Sequence, residues 1–129
     1  MNTGSKAYEF TDLRVWHDAH AFVLQVYRFS QIFPQEERFG LTSQLRRAAV
    51  SVAANIVEGF KRKHRADKIR MYNIAQASLE ECRYYLILAK DLEYGDPGTL
   101  FSQSKMLARK LRDFIKSVEQ SKQNESKAI

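Results

Sequence analysis

Six cations crowd into ten residues of this chain: Lys61, Arg62, Lys63, Arg65, Lys68 and Arg70, opposed only by Asp67. The segment carries +5, while the other 119 residues sum to +1 of the total +6. Charge this concentrated makes a local positive field and favours polyanions such as a phosphate backbone. A second set, Lys105, Arg109, Arg112 and Lys116, recurs at intervals of four, three and four. That spacing lines one helix face over about 16 Å, a length that could track successive phosphates. Arg46 is assigned to the same cationic set. The bland alternatives are a solvated inter-helix loop for the first set and an ordinary wet helix face for the second.

Other chemistry is harder to find. His17 and His20 sit three apart beside Asp18, which loosely suggests metal ligands. A di-metal bundle needs Glu-x-x-His pairs on two helices plus two further glutamates; here His17 precedes His20 by three, and Lys61 precedes His64. Glu58 and Glu81 could act as an acid and base only if a cleft joined them, and nothing in the pattern supplies one. There is no Gly-rich phosphate loop, no Cys-x-x-Cys, no nucleophile elbow and no His-Glu-x-x-His. Neither an enzyme, nor a cofactor, nor a metal site is expected.

The elements that must carry these residues are all helical. Gly and Pro are scarce, at five and two in 129 residues, and no β-branched runs alternate with polar ones. The expected fold is an all-α, antiparallel, up-down-up-down four-helix bundle in a single domain. A loose arm covers residues 1–10. A first helix, about 12–33, is capped by Thr11 or Asp12 and buries Val15, Trp16, Ala19, Phe22, Val23, Val26, Tyr27, Ser30 and Phe33. With Thr11 as the cap, Phe10 would staple onto Val15. Pro34 ends that helix.

A second helix spans about 39–60, with Leu41, Leu45, Ala48, Ala49, Val52 and Ile56 as its core face. Gly59 serves as its terminator. A third helix, about 66–92, buries Met71, Ile74, Ala75, Ser78, Cys82, Tyr85, Leu86 and Ala89. Asp96-Pro97-Gly98 turns the chain. A fourth helix runs from about 97 to 120 on Leu100, Phe101, Leu107, Ala108, Leu111, Phe114, Ile115 and Val118. A polar tail covers 121–129.

The second helix has more than a core face. Val50, Ala53, Ala54 and Val57 form another apolar strip roughly opposite. A helix apolar on two sides is normally buried on two sides, and a bundle buries only one. The expected cover is another copy of the chain; alanines tolerating water are the alternative. Between the two faces runs a polar edge, Gln44, Arg47, Ser51, Asn55 and Glu58. Burying an asparagine amide without partners costs roughly 1–3 kcal/mol, so an interhelical network with Ser78 and Glu81 on the third helix is expected. Its role would be structural.

The chain has no stretch near the roughly 20 apolar residues that span a bilayer, and its first ten residues lack the apolar region of a signal peptide. Its one cysteine, Cys82, falls mid-core and fits a reducing compartment. A cytoplasmic protein with no membrane partner is the expectation.

Several runs together are specific. DLRVWHDAH, then FP followed by Glu, then FGLTSQLRRAAVSVAANIVEGF, then a basic link and IAQASLEECRYYLILAKDLEY, resemble the four-helix-bundle proteins of the 23S rRNA intervening-sequence family. The likeness covers about Phe10 to Phe114. It centres on Leu41, Gln44, Arg46, Arg47, Ala48, Ser51, Asn55, Ile56, Glu58, Gly59, Ala75, Ser78, Leu79 and Glu81. Ala53 stands where members often have proline, and Ala77 where they often have glycine. The resemblance implies a ring-like homo-oligomer, a homopentamer. It also implies kinship with accessory proteins of retroelements that bind nucleic acid and a reverse transcriptase. The expected function is therefore a non-enzymatic, oligomeric nucleic-acid-binding protein, with structured RNA as ligand. The alternative is a protein-interaction scaffold, such as a reverse-transcriptase accessory subunit, that makes no RNA contact.

Overall fold

A computed structural model describes residues 6–128 of the chain, with side chains as far as Ser121. Residues 1–5 of the expected arm and Ile129 of the expected tail lie outside the described residues. Four helices make up the fold: α1 (Arg14–Ser30), α2 (Leu41–Lys61), α3 (Arg65–Asp91) and α4 (Gly98–Ala128). Single 3₁₀ turns lie at Phe10–Asp12 and Gln35–Glu37. No strand occurs among the described residues.

The four-helix bundle follows from the burial pattern. α1 contributes Val15, Ala19, Phe22 and Val26; α2 contributes Leu45, Ala49, Val52 and Ile56. α3 adds Tyr72, Ala75, Leu79, Cys82 and Leu86, and α4 adds Leu100, Leu107, Leu111 and Ile115. These recur at three- and four-residue spacing and meet in one core. Each helix packs on two neighbours: α1 on α2 and α4, and α3 on α2 and α4. Side-chain pairs fix the levels. Arg46 of α2 reaches Ser30 of α1, Ser51 of α2 meets Ser78 of α3, and Lys110 of α4 pairs with Asp18 of α1. Between α3 and α4, Tyr72 meets Phe114 and Arg83 lies over Phe101.

The helix ends depart from expectation for local reasons. α1 begins after Leu13, and Thr11 and Asp12 belong to the 3₁₀ turn before it. There the Asp12 carboxylate accepts the N–H groups of Tyr8 and Glu9, both at 3.0 Å. Phe10 packs edge-on against Trp16. α1 stops at Ser30, because the residue before Pro34 disfavours helix, and a turn bond from Phe33 N–H to Ser30 O closes the chain instead. Phe33 stays buried all the same. α4 continues to Ala128, since no Gly or Pro interrupts it after Gly98.

Three expectations about packing fail. Tyr27, expected on the buried face of α1, is 40% exposed, and its ring lies under the Arg46 guanidinium instead. Ile74 is 37% exposed and Tyr85 only half-buried, whereas Tyr72 and Leu79 are buried almost completely. α3 packs against α4 as well as α2, so its buried arc is turned towards Tyr72 and Leu79. Gly59 does not end α2, which runs on to Lys61. It is buried where α2 passes the Tyr72 ring; a Cβ there would collide with Tyr72 Cε1 and come within 2.8 Å of Cδ1. Its function is close approach. No helix among the described residues is long and apolar enough to cross a membrane.

Candidate nucleic-acid interface

The dense cationic segment is mostly helical. α2 ends on Lys61 and α3 begins at Arg65, so only Arg62, Lys63 and His64 connect them. Lys61, Arg62, Lys63 and Arg70 are exposed; Arg65 and Lys68 are half-buried. Arg62 pairs with Glu58 one turn earlier, at 3.4 Å.

Lys68 faces inward to the end of α2. Its Nζ donates to Phe60 O at 2.6 Å and Gly59 O at 3.3 Å, and lies 5.5 Å from the Phe60 ring centroid. The last carbonyls of a helix have no partner within it and carry partial negative charge, and a lysine from the next helix satisfies them here. Desolvation, followed by the nearby Arg65 charge, holds the Lys68 pKa below the usual lysine value. Lys68 therefore anchors the connection.

On α4, Lys105, Arg109, Arg112 and Lys116 are all exposed. Arg112 borders a groove of about 390 Å³ between α3 and α4, lined also by Gln76, Ala77, Leu79, Glu80 and Ala108. Among the described residues, Lys61, Lys63, Arg70 and the four α4 cations have no carboxylate partner. Arg46 differs. Its Nε donates to Ser30 Oγ at 2.8 Å, its Nη2 to Tyr27 O at 3.1 Å, and its guanidinium stacks 4.5 Å over the Tyr27 ring. It ties α2 to α1.

The polar edge of α2 divides. Ser51 Oγ and Ser78 Oγ share a hydrogen bond of 2.8 Å across α2 and α3. Asn55 Nδ2 donates to Ser51 O and Oγ, at 2.8 and 2.9 Å. The edge therefore holds Ser51, Asn55 and Ser78 together but not the other three expected members. Arg47 is exposed, with no hydrogen-bond partner among the described residues. Glu58 faces Arg62, and Glu81 accepts the Tyr85 hydroxyl at 2.8 Å. That bond is the main reason the Tyr85 pKa rises. Arg47, Glu58 and Glu81 are all exposed, so their charged ends need no partner across the α2–α3 seam. Glu58 and Glu81 thus turn to separate partners, each four residues further along the chain.

On the second strip of α2, Val50 is 42% exposed and Ala54 exposed, while Ala53 and Val57 are half-buried. Cys82 is buried completely, and burial pushes its thiol up to about 12. His17 and His20 do not converge on Asp18. His17 Nε2 lies 2.7 Å from Thr11 O, Asp18 pairs with Lys110, and the His20 ring stacks on Trp16. Among the described residues, no group of three or more His, Cys, Asp or Glu could hold a metal.

One feature escapes a reading by single residues. Trp16 and His20 lie parallel, 5.1 Å between centroids and 5° between planes, with Phe10 and His17 edge-on around the indole. The spacing of four between Trp16 and His20 was the available signal, since such residues are neighbours on a helix surface.

Fold and surface together describe a basic four-helix bundle. The model of the 23S rRNA-intervening sequence protein family matches residues 11–123, and the chain belongs to that family. A 1.70 Å crystal structure of a protein of unknown function from the S23 ribosomal protein family of Bacteroides thetaiotaomicron VPI-5482 is similar. It shares 27% identity, spans 79% of this chain and 98% of its own, and superposes with a TM-score of 0.70. No curated protein matches the sequence.

Proposed function

We propose that this protein is a non-enzymatic, self-associating subunit that binds structured RNA through its cationic surface. The carrying observation is the set of exposed cations that have no carboxylate partner among the described residues: Lys61, Lys63, Arg70, Lys105, Arg109, Arg112 and Lys116. An antiparallel, up-down-up-down bundle is supported by the order of the contacts. Tyr72 pairs with Phe114 but the later Arg83 with the earlier Phe101. Likewise the earlier Ser51 pairs with Ser78, while the later Gly59 faces the earlier Tyr72. In that arrangement Arg70 and Lys116 both lie two residues beyond the Tyr72–Phe114 contact, at the same end, which joins the two cationic sets.

Self-association is supported by the partly exposed Val50, Ala54 and Val57 strip and by family membership. We read the assembly as a five-membered ring that repeats the Lys61–Arg70 segment around its rim. The cytoplasm is the compartment that suits a lone buried thiol.

The test is a salt titration of binding to a structured RNA. If about four phosphates are contacted, log K should fall with log salt at a slope near −3. Neutralising Lys61, Arg62, Lys63 and Arg65 together should flatten it. Absence of binding at low ionic strength would refute the RNA reading and favour an acidic protein as partner. For assembly, Val50→Asp or Val57→Asp should give smaller species by light scattering with helicity kept, and a monomeric wild type would refute the ring.

A further inference from the structure

We propose that the Trp16–His20 stack is a docking platform for one unpaired nucleobase, placed beside the cations that take its phosphates. The proposal rests on the RNA reading and names what that surface recognises beyond charge.

The stack is built rather than incidental. The half-buried indole packs against the core, and the Phe10 and His17 rings meet it edge-on at 5.1 and 5.2 Å. His17 is itself fixed by its 2.7 Å contact to Thr11 O, which ties it to the 3₁₀ turn. The rings around Trp16 are thus held in place. His20 lies flat on the indole and is exposed. A pair of parallel rings ending on an exposed flat ring can be extended by a third, and every base has a π face to offer. Unpaired bases of RNA are commonly read by stacking on aromatic and histidine side chains.

Its place in the bundle supplies the second half of the argument. Arg46 touches α1 at Tyr27 and Ser30. From Tyr27 back to Trp16, α1 rises about 16 Å, whereas α2 has only about 7 Å of helix before Arg46. The Phe10–Asp12 turn, which precedes Trp16, nevertheless packs on α2. It can do so only on the stretch after Arg46, which leads to Phe60 and Lys61. The platform therefore shares its end of the bundle with Lys61, Arg62 and Lys63, all exposed. A nucleotide whose base lies on His20 brings its backbone to the end of the bundle that carries those cations. A fully paired helix would meet the cations alone.

Trp16 is the sole tryptophan of the chain, so its emission reports on the platform directly. The whole protein is titrated with an RNA hairpin carrying an unpaired loop and, separately, with inorganic polyphosphate. The hairpin should quench Trp16, while polyphosphate should bind without quenching. His20→Ala should weaken hairpin binding about fivefold or more while leaving polyphosphate binding and the salt slope unchanged, and His20→Phe should restore affinity. Hairpin binding without a change in emission would overturn the platform, as would equal affinity in His20→Ala. So would a change of light-scattering mass in His20→Ala, which would assign the ring to a subunit contact. Failure of wild type to bind the hairpin at low ionic strength would overturn the RNA reading itself, and the platform with it.

Discussion

Gly59 lies two residues before the end of α2, buried beneath the aromatic ring of Tyr72, which is itself only 1% exposed. In an ordinary helix interior, exchanging glycine for alanine stabilises by about 1 kcal/mol, because glycine loses more backbone freedom on folding. Here the added methyl would meet Tyr72 Cδ1 at 2.8 Å and Cζ at 3.1 Å. The ring has little room to withdraw, since Phe114 packs against it at 4.9 Å between centroids. Overpacking of this kind costs about 1–3 kcal/mol. Gly59→Ala should therefore fail to stabilise and should show a net loss of up to about 2 kcal/mol, worth about 4 °C in Tm for each kcal/mol in a chain of this size. Urea unfolding followed by circular dichroism measures it, at one fixed protein concentration because assembly shifts apparent stability. The clash has a specific partner, so Tyr72→Leu should remove it. In that background Gly59→Ala should be neutral or stabilising, giving a coupling of about 1 kcal/mol or more. A stabilised Gly59→Ala in the wild-type background would refute the close-packing role and return Gly59 to a position of simple helix propensity.

Arg46→Met should lower stability by about 1–3 kcal/mol through the lost bonds to Ser30 and Tyr27 O, yet leave the salt dependence of RNA binding unchanged. A flatter salt slope would return Arg46 to the phosphate-binding set. Glu37 accepts the Leu41 N–H at 2.9 Å and the Tyr94 hydroxyl at 2.8 Å, and these bonds, in that order of effect, hold its carboxyl below the usual 4.5. A folded-state pKa below the unfolded one contributes stability that is present above pH 4.5 and lost as pH falls through the folded value. Tm should thus drop less steeply below pH 4.5 in Glu37→Gln than in wild type. Asp12, lowered from 3.8 by the Glu9 and Tyr8 N–H groups, keeps part of the slope below pH 3.8. An unchanged profile would refute the Glu37 linkage. Cys82 should resist a thiol reagent at pH 8 in the folded protein and react on unfolding in urea, since the buried thiol ionises only near 12. Rapid labelling under native conditions would contradict its burial.

The apolar periodicity of α2 was fully legible. Leu41, Leu45, Ala48, Ala49, Val52 and Ile56 recur at helical spacing, and all six are buried. The breaks were legible as well, because Pro34 and the Gly95-Asp96-Pro97 turn act through their own backbone chemistry wherever they occur. Less legible was the weakly patterned α3, where Ile74 and Tyr72 each offer an apolar side chain and only the neighbouring helices decide which is buried. The cationic set was readable as a list but not as a surface. Nothing local distinguishes the inward Lys68 or the crossing Arg46 from the exposed Lys61 and Arg70.

The sequence by itself thus determined four helices, their core arcs and a concentration of positive charge, since these depend on composition and on the 3.6-residue period of each helix alone. Tertiary structure decided which polar ends meet. Ser51 finds Ser78, Arg46 crosses to Ser30, and Lys68 closes the end of α2. The physical reason is reach. A long side chain sweeps several ångströms around its Cα, so its partner is set by the rotation and level of the adjacent helix. Those are fixed only when the core has packed.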